Sequence, residues 1–591
     1  MRITMKKNKI IAAMAITMSL TMISCSDDKT DNNQQTSSTT SAVSSHVQSP
    51  SGIMSYIPAD TPILMVYAKD PKNPLPQNLK DKMENIYSNF GDFVKMTIEE
   101  NFKKLDKDDP KSKEVSEFID KWLSEESITK LGFAIDENEF ALYTVDLFPV
   151  LRMTLAKTHA MDEVLDELMN KANEKKPGTS VKKDVNGVAV YQFGDKEMQV
   201  MIALNGNSIV ASLAPTREVD ALMPTLLGFE KPSKNIQQSA QFHDTISKYN
   251  YMSNSLYWIN IRQIADVFVN PDQHKSPMLD MMKLEDKILS ADCKTEILQI
   301  FDKFPRIVGG TTELSNHSMN SHMVIELMQG LGTKLAAIQG RIPNYIGDSA
   351  ISYGFSFNIA NAKDLAMEFV SNIETSPYKC ELLSGMNEKA TAIKAKLGTP
   401  LPPFVSNFKG INIIVDELEL DMSKKEPNEM IKSLKAKVLV AVDNPEALQG
   451  MAAMMMPDIQ KLGIKVDGGA VNVSSLIPVK GTMMPVNLDH VFMAMGNETI
   501  GLSLGEGTDV TLTESVAADS ESHFLSFKIT AEIYKSIFAS LNELTNKLPK
   551  EVRNQIKMQQ LMMTDMLWWQ SETVYLDFTD RGFEIKADIS Y

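Results

Sequence analysis

Gly501-Leu502-Ser503-Leu504-Gly505 fits the G-x-S-x-G arrangement that can expose a serine nucleophile, and Asp509 and His523 follow in the order serine, acid, histidine. A serine hydroxyl attacks only when a base takes its proton, and the elbow that presents it needs a strand, a sharp turn at the serine, then a helix. Thr499 to Leu504 instead alternates as a strand with Ser503 between two leucines, and Val510-Thr511-Leu512 is too β-branched to open a helix convincingly. The pattern therefore reads first as an ordinary strand, with a serine hydrolase at Ser503 as the alternative. The eight histidines show no metal-ligand spacing; His317 and His322 stand five apart in a strand-like segment and need not share a face. Gly330-Leu331-Gly332-Thr333 lacks the third glycine and the Gly-Lys pair that would cradle phosphate. No metal or cofactor is expected. Methionine is abundant, at 38 residues. On a helix over Glu551–Trp569, Met558, Met562, Met566 and Trp569 would form one apolar stripe beside Val552, Ile556, Met563 and Leu567. Such a surface is either core between two layers or an apolar groove for a lipid tail or a partner's helix, since methionine adapts to varied partners.

The elements that must position these residues begin with Met1–Cys25. Arg2, Lys6, Lys7 and Lys9 precede the apolar run Ile10–Ile23, which is too short to span a bilayer and has the layout of a secretory signal. Met22-Ile23-Ser24-Cys25 resembles the lipobox of bacterial lipoproteins. The resemblance implies cleavage after Ser24 and lipidation of the Cys25 thiol, and two acyl signals would hold the chain firmly on a membrane. The alternative is an ordinary signal whose cleavage site lies near a cysteine. Cys25–Ser51 has few large apolar side chains and reads as a disordered tether of roughly 25–30 Å root-mean-square span. Ser26, where an aspartate would imply inner-membrane retention, implies the outer membrane; Asp27-Asp28 also resembles surface-export signals of some lipoproteins. The expectation is the periplasmic face, with surface exposure open.

Length allows two to four domains, and 43% apolar residues allow a substantial core. The formal charge is −16, and the signal carries four bases and no acids, so the mature chain stands at −20. Such a surface repels phosphate backbones, and nucleic acid is excluded as an expected partner. With Cys25 lipidated, Cys293 and Cys380 remain as an even pair in an oxidising compartment and are expected to bridge.

Apolar patterning predicts strands at Ile63–Tyr67, at Met153–Ala156 led by Pro149-Val150-Leu151-Arg152, around Val188–Tyr191, and at Ile209–Leu213. A hairpin is predicted from Gly132–Ile135 with Phe140–Asp146, and helices over Gln77–Val94 and through Met161–Met169. The succession then recurs. Lys437–Val442 is a strand, Asp443-Asn444-Pro445-Glu446 starts a helix, and Gly496–Leu504 answers Gly206–Leu213. Spacings near 280–290 residues predict two tandem, duplicated α+β halves, 52–335 and 336–591, each an antiparallel sheet packed by helices. Val574–Phe578 and Phe583–Ile589 form a closing hairpin whose apolar face should cover a core and whose polar face should meet solvent.

Tyr56-Ile57-Pro58-Ala59-Asp60-Thr61-Pro62 after the tether resembles the opening of a group of uncharacterised bacterial lipoproteins of unknown function. Pro149–Arg152, the Cys293 region before Phe304-Pro305-Arg306, and Ser376–Cys380 resemble further stretches of that group. The resemblance implies a location and little chemistry. The expected function is non-enzymatic: an outer-membrane-anchored periplasmic lipoprotein with a binding, scaffold or envelope-maintenance role toward an envelope protein or lipid.

Overall fold

The computed structural model describes residues 52–70, 74–82, 117, 121–122, 130–133, 138–156, 159–274, 276–282, 289–420, 430–455, 457–476, 488–535 and 569–591. The fold is mixed α+β with extensive antiparallel sheet, and the chain divides into two compact units, 1–288 with 308–317 and 289–307 with 318–591. Cys25, Met558, Met562 and Met566 lie outside the described residues.

In the first unit the elements run β1 (Ile63–Tyr67), β2 (Phe140–Val145), β3 (Phe148–Thr154), α1 (His159–Lys175), β4 (Ser180–Val185), β5 (Val188–Gly194), β6 (Met198–Asn205), β7 (Ser208–Pro215), α2 (Val219–Leu226), α3 (Ala240–Tyr249), β8 (Ser255–Asn260), α4 (Ile261–Val269), α5 (Pro277–Met282) and β9 (Arg306–Leu314). The paired strands lie in the order β8-β1-β2-β3-β7-β6-β5-β4, every pair antiparallel. Of the predicted hairpin between Gly132–Ile135 and Phe140–Asp146, residues 134–137 lie outside the described residues, and Phe140–Val145 has β1 and β3 as its two neighbours. Phe140–Val145 pairs with Phe148–Thr154 because Asp146 takes a left-handed turn, φ 57°, and brings the chain straight back. Pro149 therefore sits inside β3 rather than before it, near its start, where a missing N–H is tolerated. One face of this sheet buries Leu64, Val66, Tyr143, Val150, Val210 and Trp258, with Phe242 of α3 edge-on to Trp258. On the other face α1 lays Met161, Val164 and Leu165 against Tyr191, Ile202 and Ile209.

The second unit runs α6 (Ala291–Asp302), β10 (Ser318–Glu326), α7 (Leu331–Ala336), β11 (Ile342–Pro343), β12 (Ile351–Ser356), α8 (Ile359–Thr375), α9 (Gly385–Leu397), α10 (Pro403–Asn407), β13 (Phe408–Leu420), β14 (Ile431–Val442), α11 (Pro445–Met455), α12 (Asp458–Lys461), β15 (Val471–Asn472), β16 (Val491–Met495), β17 (Thr499–Leu504), α13 (Thr508–Ala517), β18 (Ser520–Glu521), β19 (Leu525–Thr530), β20 (Ser571–Phe578) and β21 (Gly582–Ser590). Its strand order is β10-β21-β20-β19-β12-β13-β14-β17-β16-β15, again antiparallel, and β11 with β18 forms a separate short pair. The segment expected not to open a helix is α13. Its threonines are held by their own hydroxyls, Thr511 Oγ1 donating to the Thr508 carbonyl and Thr513 Oγ1 to that of Asp509, while Leu512 and Val516 bury against Ile414, Leu439 and Ala494. Tertiary packing outweighs the few tenths of a kcal/mol by which β-branching disfavours a helix. The closing hairpin has its predicted register, Phe578 opposite Phe583 and Val574 opposite Ala587. At its turn end the expected polarity gives way, with Asp577 and Glu584 buried while Leu576 and Ile585 are half-buried; farther along, Lys586 and Asp588 of the polar face are exposed. Among the described residues, no helix is long and apolar enough to cross a membrane.

Candidate binding face

Register places one residue from each of eight neighbouring strands of the second unit in a line across its sheet. Val574, Phe527, Tyr353, Ile413, Val438, Leu502, Met493 and Val471 are successive cross-strand partners, from β20 to β15. Every member is apolar or aromatic, and side chains two apart along a strand share a face, so the line belongs to one surface. Tyr353, Ile413 and Leu502 remain 43%, 44% and 45% exposed, on a face whose opposite side buries Ser352, Asn412, Lys437 and Ser503. In the first unit the corresponding line, Tyr257, Met65, Leu142, Leu151, Ala211, Ile202 and Tyr191, is also apolar, but none of its members is exposed. At one end Val471 and Met493 pack in a cluster with Ile464, Val473 and Met495, so the open stretch is the one around Tyr353, Ile413 and Leu502, which gains about 25 cal/mol for each Å² of apolar area removed from water.

The opposite face is closed by α13 over Ile414, Leu439 and Ala494, and it also holds buried polar groups. Lys437, 1% exposed, places Nζ 2.9 Å from Asp416 Oδ2 and donates to the Ile346 carbonyl at 3.1 Å. Its register partner Ser503 is equally buried and its Oγ accepts a hydrogen bond of 2.8 Å from Thr508 Oγ1. A helix does follow this strand, yet Ser503 lies within the ladder and not at the turn, which Gly505 and Gly507 make with φ 115° and 77°. Asp509 heads α13. His523 directs Nδ1 to Asp577 Oδ1 at 2.8 Å and Nε2 to Glu521 Oε2 at 3.2 Å, and its ring packs on Tyr575 with centroids 4.5 Å apart. Ser503 and His523 share no hydrogen-bond partner, so the predicted serine, acid and histidine are not assembled into a proton relay. The hydrogen bond that Nδ1 donates to Asp577 holds the imidazole above its ordinary value, against the opposing effect of burial.

Asp577 stands opposite Glu584 in the hairpin register. Burial alone would raise the Glu584 carboxyl, but hydrogen bonds from His322, Thr579 and Arg581 outweigh it and hold the group down at about 2. His322 Nε2 lies 2.9 Å from Oε2, and Arg581 donates through Nε and Nη2 at 2.8 Å each. This neutralised pair of carboxylates is why the polar side of the hairpin could be buried at its turn end. Among the described residues, no group of three histidine, cysteine or acidic side chains could hold a metal ion.

Segments that the sequence singled out meet in space. Tyr56 lays its ring over the fully buried guanidinium of Arg152 at 3.7 Å, and Thr61 accepts through its carbonyl from Trp258 Nε1 at 3.0 Å. Cys293 on α6 is joined to Cys380 in a disulfide, with Cα atoms 4.4 Å apart, and Glu296 one turn on accepts from the N–H groups of Lys379 and Cys380 at 2.9 Å each. Of the expected groove, only Trp569 is described; it stands edge-on to Tyr534 at 6.0 Å. The apolar line across the sheet escaped sequence reading because its members sit on strands far apart in the chain. The alternation of each strand was visible, but not which face would stay open.

No protein-family profile, no curated protein and no solved structure matches this chain.

Proposed function

We propose that the chain is a lipid-anchored, non-enzymatic binding or scaffold protein of the periplasmic face of an outer membrane, tethered through Cys25 and Cys25–Ser51, with surface exposure an open variant of that placement. The observation that carries the binding role is the open apolar line centred on Tyr353, Ile413 and Leu502. The location is supported by the signal-like start, the lipobox-like Met22–Cys25 and a disulfide of a kind that persists in oxidising compartments. The partner is an apolar component of the envelope, protein or lipid.

The body is read as a tandem duplication. The order β8-β1-β2-β3-β7-β6-β5 of the first unit recurs as β19-β12-β13-β14-β17-β16-β15 in the second. Helices follow equivalent strands: α1 and α11 after β3 and β14, α2 and α13 after β7 and β17. Shared order of this length, with matching burial along β7 and β17, supports descent of both units from one ancestor.

The test is a photo-crosslinking side chain placed at Ile413 or Leu502, and at exposed Glu446 as control, in cells of the native host. The expected result is an adduct to an envelope protein or a lipid from 413 and 502 that is missing from 446, and that disappears when Tyr353 is also changed to Thr. Adducts confined to this chain, or equal at all three sites, would overturn the binding role.

A further inference from the structure

His523 sits between two acceptors that cannot both be satisfied by a neutral ring. Asp577 Oδ1 is 2.8 Å from Nδ1 and Glu521 Oε2 is 3.2 Å from Nε2. Ionised carboxylates only accept hydrogen bonds, whereas a neutral imidazole carries one N–H and one lone pair. Nδ1 is hydrogen-bonded to Asp577, while Nε2 stands at ion-pair distance from Glu521, a contact that is attractive only while the ring is the imidazolium. On losing a proton the ring keeps one N–H, and the other nitrogen is left lone pair to lone pair with a carboxylate. Asp577 is 9% exposed at its side chain and Glu521 53%, so the contact with the lower desolvation penalty for separating is that with Glu521.

Glu521 is half of a short strap. It pairs with Ile342 in the β11–β18 ladder, Ser520 pairs with Pro343, and Asn344 Nδ2 donates to Glu521 Oε1 at 3.2 Å. The strap lies on the closed face of the sheet: Asn412 Nδ2 donates to the Pro343 carbonyl at 2.9 Å, and Ile342 fills the space above Gly354, where a Cβ would come within 2.5 Å of its Cγ2. The groups facing His523 are Glu521 from β18 and Asp577 and Tyr575 from β20; from β12, Ser356 Oγ donates to its carbonyl. Glu584 opposes Asp577 but is already neutralised by Arg581 and His322.

We infer that His523 is a pH-sensitive latch: as the imidazolium it ties the β11–β18 strap to β20, and as the neutral ring it lets Glu521 and the strap go. The sign follows from the direction of the shift. The folded-state imidazole is held above its ordinary value, so the latch contributes its full stability below that ordinary value and loses it as pH rises through the folded-state one.

The experiment uses the purified full chain. Side-chain ¹⁵N shifts of His523, assigned against His523→Gln, should show both nitrogens protonated while the strap is closed. Amide exchange at Ile342 and Glu521, corrected for the intrinsic effect of pH, should speed up by roughly two- to fivefold across the same titration, as loss of one partly exposed ion pair implies. Glu521→Gln supplies an amide N–H that a neutral Nε2 can accept, so its strap should stay protected above the titration. Glu521 is exposed, and the variant should fold. Identical exchange profiles in the wild type and Glu521→Gln, or a single protonated nitrogen in the closed state, would overturn the latch.

Discussion

At the scale of single residues, Glu584 shows how a charge can be more deeply buried than the valines and leucines beside it. Four groups, His322, Thr579, Arg581 and Lys586, converge on one carboxylate that is inaccessible to solvent. Its folded-state value of about 2 lies below the ordinary 4.5, so the stability it contributes is present above 4.5 and is lost as pH falls toward about 2. The expected contribution is on the order of 3 kcal/mol. Glu584→Gln should therefore destabilise the chain by about 3 kcal/mol at neutral pH, since it leaves Arg581 and His322 facing a neutral amide. It should also flatten the acid limb of stability, and urea unfolding at neutral pH and again near pH 3 checks both effects.

At the scale of elements, α13 depends on a glycine in the strand beneath it. A Cβ at Gly501 would stand 2.6 Å from Leu512 Cδ1, 2.8 Å from Val516 Cγ1 and 2.9 Å from Leu439 Cδ2. Gly501→Ala should destabilise by roughly 1–3 kcal/mol through overpacking. Leu512→Val in the same chain should recover part of that loss, because the two changes share one contact. Thermal unfolding of both singles and the double measures the coupling; strictly additive losses would mean that α13 does not rest on Gly501 as described. The same glycine belongs to the G-x-S-x-G pattern. Its role here is close helix-to-strand packing, a use of glycine that a sequence pattern cannot separate from a nucleophile elbow.

For the whole molecule, the proposed anchor and the proposed binding face make separable demands. Cys25→Ser should shift the protein from the membrane fraction to the soluble one and remove the acyl mass, while partner capture by purified soluble chain through Ile413 and Leu502 persists. Fractionation and intact mass measure the first, crosslinking the second. Membrane retention undiminished in Cys25→Ser would remove the lipid anchor from the proposal. The disulfide adds that the hairpin formed by α8 and α9 is bound back to α6 within the second unit, so this unit closes on itself even though 289–307 and 318–591 are separated in sequence.

Local periodicity was enough to locate several strands, the α1 helix and the terminal hairpin, because alternation and helical stripes reflect one-sided burial within a few residues of chain. The proposed duplication drew on elements recurring at similar spacing. What the sequence could not settle were outcomes that depend on distant partners. Asp577 and Glu584 look like a solvent face until His322 of β10 and His523 of the β18–β19 link meet them, and Arg581 folds back from their own turn. Thr508–Ala517 looks like a poor helix until Leu512 and Val516 find Gly501 and Ala494. Ser503 read first as an ordinary strand residue, and the donor Thr508 that holds it in the ladder could not be foreseen. Tyr353, Ile413 and Leu502, about which local pattern says nothing distinctive, form an exposed surface only because the packing of the second unit decides which face is left open.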